Sequence, residues 1–173
     1  MDSMLVNMTL GNGETIPLML VDTAGQERFQ SLAQNFLRNS HGVILVYDLT
    51  NIESLRKLKQ MWIQTYITNA NKAILTHTLL IGNKLDLLTA ISDDTDITTK
   101  IEIEKNMIEE AKLLQEIGSF LTAQGFQFSF KKLSAKTDKK LLFNEILVEL
   151  FRQLLMSSPV DRDVNAFEKA ALS

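Results

Sequence analysis

The run Gly42-Val43-Ile44-Leu45-Val46-Tyr47-Asp48 is apolar at consecutive positions and rich in β-branched side chains. A strand with one wet face alternates between apolar and polar residues. A strand without alternation has both faces covered, the mark of a parallel sheet with helices on either side. Residues 76–82, Thr-His-Thr-Leu-Leu-Ile-Gly, repeat the pattern after an intervening helical stretch. Two such strands joined through a helix form a crossover, and this commits the chain to an α/β architecture.

The remaining segments fit around that pair. Residues 4–10 alternate loosely, Gly11-Asn12-Gly13-Glu14 is a hairpin signal, and residues 15–21 form the return strand. Pro17 lacks an N–H and belongs at an unpaired edge or a strand start. Residues 26–39 read as a helix carrying Phe29, Leu32, Phe36 and Leu37, and Thr50 or Asn51 can cap the next, which carries Leu55, Leu58, Met61, Trp62 and Tyr66. Residues 89–100 are polar and read as an exposed loop or insertion. Residues 101–124 form a long helix stopped by Gly125, and residues 126–130 alternate as a strand. An amphipathic helix over 139–156, with Leu142, Ile146, Leu150 and Leu154 on one side, closes the domain. The expected fold is a mostly parallel α/β sheet with an antiparallel edge, one domain over 1–156 and a polar tail over 157–173.

Composition narrows the function classes. At 173 residues and 45% apolar content the chain can bury a core, and a net charge of −3 gives no footprint for nucleic acid. The absence of cysteine excludes disulfides, thiolate metal sites, thiol nucleophiles and a cysteine-borne lipid anchor. Met1-Asp2-Ser3-Met4 has neither the basic region nor the apolar stretch of a signal peptide, so a cytoplasmic protein is expected. His41 and His77 lack partners for a triad and read as structural. Asp93, Asp94 and Asp96 read as a solvated loop, Trp62 and the phenylalanines as core, and the methionines as gap-fillers.

Three loops follow three strands at one edge of the expected sheet, where α/β folds gather their ligands. In Asp22-Thr23-Ala24-Gly25-Gln26, Asp22 can hold Mg²⁺ through water, Gly25 lets a backbone N–H approach a phosphate, and Gln26 can orient an attacking water. The same residues also suit a capped turn before a helix. In Asn83-Lys84-Leu85-Asp86, the Asp86 carboxylate can accept two hydrogen bonds from the adjacent donors that guanine shows and adenine lacks. Charge-assisted bonds of this kind are worth about 1.5–3 kcal/mol each. Lys84 can lay its stem along a ring face; a plain polar turn fits these residues as well. In Ser134-Ala135-Lys136, the Ala135 N–H can meet the guanine carbonyl and Lys136 can cover the other ring face.

Together these stretches resemble the small GTPases of the Ras superfamily, closest to the Rab branch. Asp22-Thr23-Ala24-Gly25-Gln26-Glu27-Arg28-Phe29 is similar to the family's phosphate and switch II motif, Asn83-Lys84-Leu85-Asp86 to its guanine motif, and Ser134-Ala135-Lys136 to its third base-binding motif. His41–Asp48 also resembles the Rab strand at that place. The resemblance covers about residues 4–155. It implies a P-loop NTPase-like fold, GTP or GDP with Mg²⁺ as ligands, regulatory proteins and effectors as partners, and a switch function in vesicle trafficking.

The sequence departs from the family pattern at one major point. The family opens with a strand, the glycine-rich G-x-x-x-x-G-K-[ST] loop, a helix and switch I. The glycines here stand at 11, 13, 25, 42, 82, 118 and 125, and none begins that motif. The expectation is therefore a shortened GTPase domain whose central strand and phosphate cradle are missing, with impaired folding and hydrolysis unless strands 15–21 and 42–48 close up directly. The alternatives are a non-hydrolysing interaction module and a non-productive product. Val21 stands where Rab sequences usually carry Trp. Residues 89–105 are longer than usual between the guanine motif and the next helix, as a solvated loop or a partner-binding insertion would be.

Overall fold

The computed structural model describes residues 2–9, 15–23, 37–71, 77–91, 95–138, 146 and 150. The hairpin turn expected at 11–14, most of the 26–39 helix, Asp93 and Asp94, most of the 139–156 helix and the 157–173 tail lie outside them. In chain order the elements are β1 (Asp2–Thr9), β2 (Thr15–Asp22), β3 (Gly42–Asp48), α1 (Ile52–Lys57), a π-helical turn (Leu58–Trp62), α2 (Ile63–Asn69), β4 (His77–Asn83), α3 (Leu85–Thr89), α4 (Ile97–Ala123) and β5 (Gln127–Lys132).

The α/β class expected from the sequence is present, divided between two sheets. β3, β4 and β5 form a parallel sheet with β4 central, in the register Gly42↔His77 and His77↔Gln127. β1 and β2 form a separate antiparallel pair, from Asp2↔Asp22 to Thr9↔Thr15. β2 and β3 do not close up: they are not hydrogen-bonded to each other. The antiparallel pair is thus a sheet of its own instead of an edge of the parallel one.

β4 shows why its run does not alternate. His77 through Gly82 are all buried, and successive side chains enter opposite layers. Leu80 joins Tyr47, Leu55, Leu58, Ile63, Tyr66, Ile117, Leu121 and Phe126 beneath α1, α2 and α4. Leu79 and Ile81 join Leu133, Ile146 and Leu150 on the other face. Polar anchors reinforce the first layer. The hydroxyls of Tyr66 and Thr78 lie 2.7 Å apart, and burial pushes the Tyr66 phenol up to about 12 despite the Thr78 bond, which lowers it. Glu110, buried on α4, accepts hydrogen bonds from the Tyr47 hydroxyl and, at 2.6 Å, from the Lys132 ammonium. One carboxylate therefore ties α4 to β3 and β5.

The helix boundaries follow local chemistry. Asn51, one of the two expected caps, accepts from the Glu53 N–H at 3.1 Å. At the π turn the Ile63 N–H reaches back to the Leu58 carbonyl, one residue further than in an α-helix. The long helix begins at Ile97, four residues before the expected start, so residues 97–100 and the C-terminal part of the supposed 89–105 insertion are helical. Asp96 explains the difference. Its carboxylate caps the helix by accepting from the Thr99 N–H at 2.9 Å and the Thr99 hydroxyl at 2.6 Å. The helix ends as expected, with Gly125 at φ +84° just past the C-cap Gln124. Met4, Met19 and Met107 are more than half exposed and do not fill core gaps, and Phe120 also reaches solvent.

Leu80 is fully buried at the centre of the sheet. Leu80→Ala is expected to lower stability by about 2–5 kcal/mol, read as a lower midpoint in urea unfolding with unchanged slope.

Candidate functional site

The carboxyl ends of β4 and β5 carry the two base-type loops, and backbone bonds hold them in register. The Leu133 N–H donates to the Gly82 carbonyl at 2.9 Å, and the Leu85 N–H donates to the Leu133 carbonyl at 3.0 Å. Gly82 has a packing reason: a Cβ there would sit 2.6 Å from Leu49 Cδ2 and 2.9 Å from the Tyr47 hydroxyl. The bare backbone lets the β3–α1 turn lie against the end of β4, where the Leu49 N–H donates to the Asn83 carbonyl at 3.0 Å. Lys84 then turns the chain at φ +68°, a left-handed conformation uncommon for lysine.

The side chains lock these loops further. Asn83 Oδ1 accepts from the Lys84 N–H at 2.8 Å and from the Ala135 N–H at 2.9 Å. The Ser134 hydroxyl donates to Asp86 Oδ1 at 2.6 Å and accepts from the Lys136 and Thr137 N–H groups at 3.2 and 3.3 Å. Ser134 is buried, so its side chain acts as a hub between the loops. Asn83, Lys84, Asp86, Ser134, Ala135 and Lys136 are therefore brought together. The Ala135 N–H, a candidate donor to a base carbonyl, is engaged by Asn83 here.

Two further residues complete the constellation, and sequence reasoning gave neither a role. Asp138 Oδ2 accepts from the Ser134 N–H at 3.0 Å and closes the Ser134–Asp138 turn. Asp48, at the end of β3, places Oδ2 2.7 Å from the Lys84 ammonium, while its Oδ1 accepts from the Thr50 N–H and hydroxyl at 2.8 and 2.7 Å. Desolvation pushes the Asp48 carboxyl up, but the bonds from Lys84 and Thr50 outweigh it and hold the group below its ordinary value of 3.8. The local turn Asp48-Leu49-Thr50 is a readable signal for the Thr50 bonds; the Lys84 partner, distant in sequence, is not.

The phosphate and metal side is described only at Asp22, exposed at the end of β2 in the antiparallel pair. Gly25 and Gln26 lie outside the described residues. Among the described residues no group of three or more His, Cys, Asp or Glu side chains could hold a metal ion. Asp22 offers one exposed carboxylate, and Mg²⁺ completes an octahedral oxygen shell largely with water. The two loops bring together a carboxylate held by a hydroxyl, an amide side chain and two lysines.

A sequence model of the Ras family matches residues 1–156. The chain belongs to the Ras family. Among its relatives, the GTP-binding protein YPTM1 of Zea mays is 41% identical over 85 residues, 49% of this chain and 39% of the relative. The GTP-binding protein YPT1 of Saccharomyces cerevisiae is 46% identical over 76 residues, 44% of this chain and 35% of the relative. The Ras-related protein RABD1 of Arabidopsis thaliana is 44% identical over 77 residues, 44% of this chain and 36% of the relative. This Ras-family chain is Rab-like, and it spans less than two fifths of the length of each of these curated relatives.

The Asp48–Lys84 pair makes a pH-dependent contribution with a definite sign. Asp48 is depressed in the folded chain, so its stabilisation is complete above the ordinary aspartate value of 3.8 and is lost as pH falls through the lower folded value. The difference in melting temperature between the native chain and Asp48→Asn is expected to be constant near neutrality and to shrink on acidification below that value. A series of thermal melts from pH 7 downward measures it.

Proposed function

We propose that this chain recognises the guanine base of GTP or GDP through the β4–α3 and post-β5 loops. The observation that carries the reading is the Ser134–Asp86 hydrogen bond of 2.6 Å, which sets a carboxylate beside the turn formed by Ser134, Ala135 and Lys136. Asp86 would accept the paired donors of guanine, and the stems of Lys84 and Lys136 would flank the ring. In the family role, Asp22 would hold Mg²⁺ through water, Gly25 would approach the terminal phosphate and Gln26 would orient the hydrolytic water. In that role the chain would act as a regulatory GTPase switch in vesicle trafficking, working with regulatory proteins and effectors.

A second reading is base binding without hydrolysis, in a GTPase-like interaction module. It is favoured by the division into two sheets: Asp22 ends a strand of the antiparallel pair, while Asp86 and Ser134 follow strands of the parallel sheet. Charge stabilisation at the phosphates is the main demand of phosphoryl transfer, and base recognition alone does not supply it.

Thermal shift of purified 1–173 tests the base site. At a GDP concentration 100 times the dissociation constant the gain is about 2.7 kcal/mol, or roughly 5–11 °C for a chain of this size. ADP is expected to give no comparable rise, and Asp86→Ala to abolish the GDP response. Equal responses to GDP and ADP, or none to either, would overturn the guanine assignment. Phosphate release from GTP, lost in Gln26→Ala, separates the switch from the non-hydrolysing module.

A further inference from the structure

α4 is apolar on two opposite sides. Its inner side buries Ile117 and Leu121 beside the bonded carboxylate of Glu110. At about 100° per residue, Ile97, Ile101 and Ile108 fall within an arc of roughly 40° on the side facing away from those three. They are 75%, 46% and 67% exposed. A single exposed apolar residue is ordinary. Three aligned isoleucines are different, because β-branched residues are weaker helix formers than the Lys and Glu around them. Neither the core nor helix formation accounts for the stripe. The eleven-residue interval from Ile97 to Ile108, near 3.67 residues per turn, keeps it nearly straight along the helix.

The charges beside the stripe select its occupant. Glu104 and Lys105, both exposed, lie on opposite flanks of the line from Ile101 to Ile108. When two copies of α4 pack in parallel about a two-fold axis along the helices, the left flank of one meets the right flank of the other. Glu104 of each copy then faces Lys105 of its mate, while Ile97, Ile101 and Ile108 each meet their own counterparts. Antiparallel packing sets Glu104 against Glu104 and Lys105 against Lys105, and like charges held together oppose it. We propose that the outer face of α4 is a homodimer interface, formed by two copies of this chain with α4 helices parallel and in register. The interface is isologous, as two-fold symmetry requires.

The native chain contains no cysteine, so single cysteines report the geometry directly. Ile101→Cys is expected to form a disulfide-linked dimer of 1–173 under mild oxidation. Cross-linking only in an equimolar mixture of Ile101→Cys and Ile108→Cys would mean antiparallel packing and overturn the proposal. Sedimentation velocity over a concentration series is expected to show a monomer–dimer equilibrium. Ile108→Lys should weaken it by at least about tenfold in dissociation constant, with an unchanged circular dichroism spectrum. Should Ile108→Lys fail to fold, the charge variants decide: Glu104→Lys weakens the dimer, and adding Lys105→Glu restores it. A monomer at every concentration, or association indifferent to these changes, would also overturn it.

Discussion

Every feature of the base-type site depends on β4 being a strand with neighbours on both edges and side chains packed in two layers. Its centrality fixes the backbone of Gly82 and Asn83, and through the Leu133 and Leu85 bonds it sets the spacing of the two loops. Covered on both faces, the strand has nowhere to slip: a shift of one residue would exchange the layers occupied by Leu80 and by Leu79 and Ile81. The positions of Asp86 and Ser134 are inherited from that register.

Polar groups at the edge of the core act in the same direction. Glu110 is a carboxylate where the helical pattern would place an apolar residue, and it is stabilised by receiving both the Tyr47 hydroxyl and the Lys132 ammonium. Burial and the neighbouring Glu110 carboxylate in turn push the Tyr47 phenol well above its ordinary range, so it stays protonated as the donor. Asp48, one residue beyond Tyr47, faces the opposite way and reaches Lys84. The end of β3 thus sends one side chain to the helix layer and the next to the loop.

Much of this was readable from residues alone, where the signal is local. The unbroken apolar runs marked β3 and β4, Gly125 marked the end of α4, and the three loop motifs marked the family. The start of α4 was hidden because Asp96 sits in an acidic polar run, where a cap and a solvated loop look alike. The 97–108 stretch adds outward isoleucines that blur the helical period. The division into two sheets was not legible either, since strand propensity says nothing about which edges pair. Asp48–Lys84 and Glu110–Lys132 escaped for a common reason: such pairs are made by the fold and leave no short-range pattern.

The hydrogen bonds joining Asn83 to Ala135 and Ser134 to Asp86 have an entropic consequence. Their partners sit 52 and 48 residues apart in the chain, so folding itself brings them together and restricts their rotamers. A ligand of these loops would meet groups already ordered, the entropy of ordering them belonging to folding and not to association. On the proposed reading a base would bind by exchange, one internal acceptor traded for one on the ligand. Discrimination at such a surface rests on how well the ligand's donors replace the internal ones.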